Sequence, residues 1–167
     1  MAVSPVARPS AIEPIALIFK LNNDMVARSL AGLNDEECWR QPEGGGNPLL
    51  WLVGHATISR AHLLARLGHT YDHGLGALFD RGARRSAPSA YPSRAAIEAA
   101  WQDTRGRMRD AFATLTDERL LAAPSGRPLP GATNIAGTIA FLAFHESYHV
   151  GQMGYLRRML GHPGVAD

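Results

Sequence analysis

TNIAGTIAFLAFHESYHVGQMGYLRRMLG, residues 133–161, decides how the chain must be built. Thr133 and Asn134 offer a helix cap at one end, and Leu160 followed by Gly161 offers a stop at the other. Between them Leu142, His145, His149, Gln152 and Leu156 recur at three- and four-residue spacing, so they share one helical stripe. That stripe is otherwise apolar, which predicts that it faces a core. A helix of this length buries such a stripe only against other helices.

Three further helices are readable upstream. Ser10-Ala-Ile-Glu13 has capping-box spacing, and Ile12, Ile15, Phe19, Val26, Leu30 and Leu33 follow at helical intervals, predicting a first helix to about residue 32. Asp35 to Trp39 suits a further short turn, and Pro42 with Gly44, Gly45 and Gly46 then breaks the chain. Asn47-Pro48 reads as a cap with proline at the first helical position, opening a second helix that runs to Leu67 and stops at Gly68.

Residues 69–92 are rich in Gly, Pro and Ser without a clear period and predict a long crossover. Ser93 caps a third helix marked by Ile97, Trp101, Thr104, Met108, Phe112 and Leu115. A loop containing Pro124, Gly126, Pro128, Pro130 and Gly131 leads back to the opening segment. No stretch alternates as a strand would. The prediction is an all-α four-helix bundle, with the long crossover between its second and third helices, in one domain over residues 1–167. Residues 1–9, which carry two prolines, are expected to be flexible.

Composition excludes several functional classes. The chain is 46% hydrophobic and 19% charged with a formal charge of +2, which suits a folded domain and gives no support to nucleic-acid binding. The densest basic stretch, Arg81, Arg84 and Arg85, reads as solvated surface. No run reaches the roughly 18 apolar residues of a membrane span, and the first residues lack a signal-peptide core. Cys38 is a lone cysteine, which suits a reducing cytoplasm and reads as a small buried hydrophobe.

The chemistry is concentrated in His145-Glu146-Ser147-Tyr148-His149. Residues four apart sit about 40° apart around a helix, one turn up, so both imidazoles can meet one ion. A zinc protease would use Glu146 as base and a third ligand downstream, yet no glutamate or cysteine follows and His162 stands at the wrong offset. A di-iron site needs a second Glu-x-x-His and two more glutamates, and there is no second copy. The third ligand must therefore come from upstream, where His55 lies on the second helix between Leu52 and Leu63, with His62 as its competitor. His69 and His73 read as surface histidines of the crossover.

Taken together, Asn47-Pro-Leu-Leu-Trp-Leu-Val-Gly-His55, His145-Glu-Ser-Tyr-His-Val-Gly-Gln152 and the run from Gly154 to Gly161 resemble the DinB/YfiT-like family of metalloenzymes over almost the whole chain. The resemblance implies a four-helix bundle, often a homodimer, in which His55, His145 and His149 hold one divalent transition metal ion, zinc or nickel. It further implies a small-molecule substrate, and in some relatives a low-molecular-weight thiol such as bacillithiol or mycothiol that is joined to an electrophile or used in isomerisation.

Three neutral imidazoles leave an ion its full double charge and an open position, the arrangement of a catalytic site. The expectation is a thiol-dependent S-transferase or isomerase. The alternatives are a metal-dependent hydrolase and a non-enzymatic metal-binding or interaction protein. Glu146, Tyr148 and Gln152 are the candidate catalytic residues, with Ser59 and His62 as further candidates for the pocket. Gly151 and Gly154, within the fourth helix, predict a close helix approach such as a dimer contact.

Overall fold

The computed structural model describes residues 12–84, 86–127 and 129–165. Its helices are α1 (Glu13–Leu30), α2 (Asp35–Trp39), α3 (Leu49–Arg66), α4 (Arg94–Ala113), α5 (Asp117–Leu121) and α6 (Ile135–Met159). Among the described residues there is no strand, and no helix is long and apolar enough to cross a membrane. The four long helices are those expected. Ser10 and residues 1–9 lie outside the described residues, as does Arg85.

Side chains set most helix starts. The Asn34 carboxamide accepts from the Glu37 N–H while the Glu37 carboxylate accepts from the Asn34 N–H, a reciprocal cap for α2. Ser93 and Asn134 cap α4 and α6 through the N–H groups of Ala96 and Gly137. Asn47 does not cap α3 as expected: Pro48 takes the N-cap position with an extended ψ of 157° and no side-chain bond, so the helix starts at Leu49. The short α5, capped by Thr116, was not anticipated, because one turn of helix leaves too few residues for a period to register.

The crossover is not structureless. Two 3-10 turns, Gly76–Phe79 and Pro88–Ala90, interrupt it, and Leu75 and Phe79 insert into the core. Cys38 is buried as expected, and burial pushes its thiol up to about 11, so it is not a thiolate at neutral pH.

The long helices form a ring in which α1 packs on α6, α6 on α3, and α3 on α4, while α4 and α1 meet only sparsely. Inside the ring are two apolar clusters. One gathers Val26 and Leu30, Leu49 to Val53, Ile97, Trp101, Val150 and Met153; the other gathers Phe19, Leu63, Leu64, Met108, Phe112, Ile135 and Ile139. Where one gives way to the other, each helix contributes one buried polar residue: Asn22, Arg60, Thr104 and Glu146.

That layer is held by a bidentate ion pair. Arg60 Nε donates to Glu146 Oε2 at 2.6 Å and Nη2 to Oε1 at 2.8 Å, with both side chains 1% exposed. Asn22 Nδ2 donates to Glu146 Oε1, Arg60 Nη1 donates to Asn23 Oδ1, and the guanidinium lies 3.7 Å from the Trp101 ring centroid.

The pair also corrects the expected orientation of the last helix. The buried face of α6 runs through Ile139, Ala143, Glu146, Val150 and Met153. It is displaced by one residue, roughly 100°, from the stripe of Leu142, His145, His149, Gln152 and Leu156, which is half-buried. Glu146 is therefore not on the solvent-facing or dimer-facing side. Gly154 lies under Val165 of the same chain, where a Cβ would stand 3.1 Å from Val165 Cγ2, so the close approach there is to the chain's own C-terminal segment. Gly151 is exposed.

Removing one partner strands the other charge in an apolar interior, so Glu146→Gln is expected to lose about 3–5 kcal/mol in denaturant unfolding. An Arg60→Met/Glu146→Leu double variant is expected to regain most of that loss. Equal losses for the single and double variants would mean that packing rather than charge holds the layer.

Candidate metal centre

His55 comes from the second turn of α3, and His145 and His149 from consecutive turns of α6, so the α3–α6 seam brings all three together. Their ring centroids stand 4.6 to 5.3 Å apart. One nitrogen from each lies within 4.8 Å of the others, a grouping that could hold a metal ion.

Two of the rings are oriented by bonds on their far nitrogens. His55 Nδ1 donates to the Phe79 carbonyl at 2.7 Å, which leaves Nε2 as its lone-pair atom, and the Trp51 ring stacks on it at 5.1 Å and 8°. His149 Nδ1 donates to Gln152 Oε1 at 2.7 Å, and Gln152 Nε2 reaches the Tyr148 hydroxyl at 3.4 Å. His145 Nδ1 is buried without a partner among the described residues.

The Nε2 atoms of His145 and His149 are 3.2 Å apart. Without an ion, neutral His145 can carry its proton on Nε2 and donate to the lone pair of His149 Nε2, since His149 holds its own proton on Nδ1. Nitrogens about 2.0–2.1 Å from a tetrahedral ion are about 3.3 Å from one another, so the spacing of His145 and His149 suits such an ion, and His55 brings a nitrogen within 4.8 Å of both. A second proton on any of these rings is disfavoured. Burial, reinforced by His149 and His55, pushes His145 down to about 4, and burial lowers His55 and His149 as well.

Gly54 is what admits Phe79 to this arrangement. A Cβ at residue 54 would stand 2.4 to 2.7 Å from three atoms of the Phe79 ring, so only glycine lets the ring lie against α3 and its carbonyl face His55. The sequence reading missed this contact because the two residues are joined only through the crossover.

The remaining candidates fall into place around the three histidines. Ser59 is buried and returns its hydroxyl to the His55 carbonyl at 2.9 Å. His62 is exposed, 3.8 Å from Asp80, and does not join the group. His69 and His73 lie in the crossover, and His162 pairs with Glu37 at 3.0 Å. Glu146, although next to His145, points into the polar layer with both oxygens engaged.

Tyr148 and Gln152 line a cavity of about 750 Å³ together with His149. Its far wall is the loop of Pro42, Gly45, Gly46 and Asn47, closed by a Gln41 Nε2 bond to the Gly46 carbonyl at 2.7 Å. Gly44, Gly45 and Gly46 all have positive φ, from 78° to 110°, a path that side-chain-bearing residues rarely follow.

Two outcomes follow. Gly54→Ala should displace Phe79 and free His55, weakening metal binding about 10- to 100-fold in a competition titration while circular dichroism stays helical. Unchanged affinity would remove Phe79 from the orienting role. In metal-free protein the three depressed imidazoles bind fewer protons than the unfolded chain does below its value of 6.5, so stability should fall as pH drops from about 6.5 toward 4. Denaturant midpoints that hold level or rise over that interval would contradict the sign.

Comparison with known proteins agrees with this architecture. A solved structure of a conserved protein from Enterococcus faecalis superposes with a TM-score of 0.70, covering 88% of this chain and 95% of that one. At 13% identity it establishes the shared fold alone. No curated protein matches the sequence. The DinB superfamily matches residues 18–153, a span that takes in all three histidines, Arg60 and Glu146, and the chain belongs to that superfamily.

Proposed function

We propose that this chain is a metal-dependent enzyme, a small-thiol-dependent S-transferase or isomerase, working at the site of His55, His145 and His149 with zinc or nickel. The observation that carries the reading is the double position of His149, which belongs both to the histidine group and to the wall of the 750 Å³ cavity. A purely structural ion would be expected to have a closed surround.

A divalent ion held there supplies positive charge that favours the deprotonated form of a thiol or of water near neutral pH. The chain's own groups hold the rest. Phe79 and Gln152 fix the proton on the outer nitrogens of His55 and His149, so both rings keep their inner lone pairs available. Tyr148, tied to Gln152, places a hydroxyl at the cavity wall where it can hold or release a proton. Leu52, Leu156 and Met159 line the same cavity and exclude water from an apolar substrate.

The position of Glu146 favours thiol chemistry over hydrolysis. With its carboxylate held by Arg60 and Asn22, it has no part as a base, and among the residues lining the cavity the one acid is Glu43. A thiol with an ordinary pKa of about 8.5 needs far less help to ionise than water at about 15.7.

Untagged protein loaded with zinc or nickel should conjugate bacillithiol or mycothiol to a chlorinated dinitrobenzene, and His55→Ala should abolish turnover. Tyr148→Phe should lower kcat more than it raises KM. Ester hydrolysis without any thiol would instead support the hydrolase. If metal removal unfolds the chain and the holoprotein takes no added thiol, the ion is a tie between α3 and α6. A homodimer belongs to the same proposal, with the exposed Ile18, Leu21 and Phe144 as apolar surface for it to cover. Sedimentation that reads monomer alone at micromolar concentration would remove it.

A further inference from the structure

The one sparsely closed seam of the ring, between α1 and α4, holds a cavity of about 450 Å³. It lies across the bundle from the histidines, which belong to the α3–α6 seam. We propose that it is a binding site for a small anionic amphiphile, a single-chain carboxylate of medium length.

The floor is apolar. Phe19, Met108 and Phe112 are each 3 to 5% exposed, and Leu17 beside them is 52% exposed. The rim is cationic. Lys20, Arg105 and Arg109 line the same cavity, with Glu13 as the one acid among its lining residues. On α4 the pattern Arg105, Met108, Arg109, Phe112 repeats at helical spacing, so charge and apolar surface alternate along one face turned toward α1.

These cations are not used by the fold. Lys20 and Arg105 have no ion pair among the described residues, and Arg109 meets only its neighbour Asp110, with both side chains at least 70% exposed. Arg105 and Arg109 are like charges four apart, an arrangement that destabilises a helix by a few tenths of a kcal/mol unless an anion lies between them.

The volume falls within the range of about 300–1,000 Å³ of sites for small organic ligands. An anionic head would meet the rim while its chain displaced water from Leu17 and Ala16, above the buried Phe19, Met108 and Phe112. Three exposed cations around one apolar cleft, with the buried and paired Arg60 behind them, do not make the extended basic track that a polynucleotide needs. They do match one carboxylate with one tail.

The test is calorimetric titration of the full-length, metal-loaded protein with decanoate, decanol and decyltrimethylammonium, each below its micellar concentration. Decanoate should saturate at one molecule per chain and bind about tenfold or more tightly than either chain-matched probe. Lys20→Glu/Arg105→Glu, a change at two exposed positions, should weaken decanoate about tenfold or more while leaving the thermal melt in place. His55→Ala should leave decanoate affinity unchanged, which separates this cleft from the histidine site. The proposal is overturned by any of four results. These are no saturable decanoate binding, equal binding of decyltrimethylammonium, indifference to the Lys20→Glu/Arg105→Glu change, or loss of binding in His55→Ala.

Discussion

A bidentate arginine–carboxylate pair with both partners 1% exposed sits at the centre of this bundle, and the orientation of the other parts follows from it. Desolvating two charges is expensive, and their attraction offsets it only when geometry is good and the remaining donors are satisfied. Here Asn22, Asn23 and the face of Trp101 complete the shell, so all four long helices contribute. Apolar packing alone tolerates rotation of a helix about its axis. A fork of two short hydrogen bonds does not.

Fixing that rotation is what makes the histidine site. With Glu146 turned inward, His145 and His149 fall on the shoulder of α6, half-buried and facing α3 rather than sealed in the core. The same turn gives His149 a place in a cavity wall. Burial keeps the three imidazoles neutral at physiological pH, and a cluster that resists protons is a better ligand set for a cation. The glutamate that makes the motif resemble a protease signature is thus spent on architecture, and Tyr148, His149 and Gln152 are left to lie along the cavity.

The long helices were legible because Phe19 and Val26, Trp101 and Met108, and Leu142 and Leu156 recur at helical spacing and because Ser93 and Asn134 cap where caps belong. The histidine group was legible for a local reason: His145 and His149 share one helix, and the neighbouring apolar helix offered only His55 and its competitor His62 as a third. The rotation of α6 was not, because the expected stripe and the true buried face differ by one residue, and apolar Leu142 and Leu156 on the one stand beside apolar Ala143 and Val150 on the other. Arg60 gave no signal at all. Its partner is 86 positions away, and a single arginine in an apolar run reads as a charge to be placed at the surface. Phe79 likewise looked like crossover, since nothing before the fold places its carbonyl beside His55.

The ring has an order in time as well as in space. Asn22 bonds to Glu146 across 124 positions, and α1 is held mainly by α6, which follows α3 and α4 in chain order. Until α6 is complete, Arg60 has no carboxylate and the apolar faces of α1 and α3 have no shared cover. A nascent chain therefore cannot close the bundle stepwise from its N-terminus. The α3–α4 pair can form earlier, and α1 gains its main partner once α6 is complete.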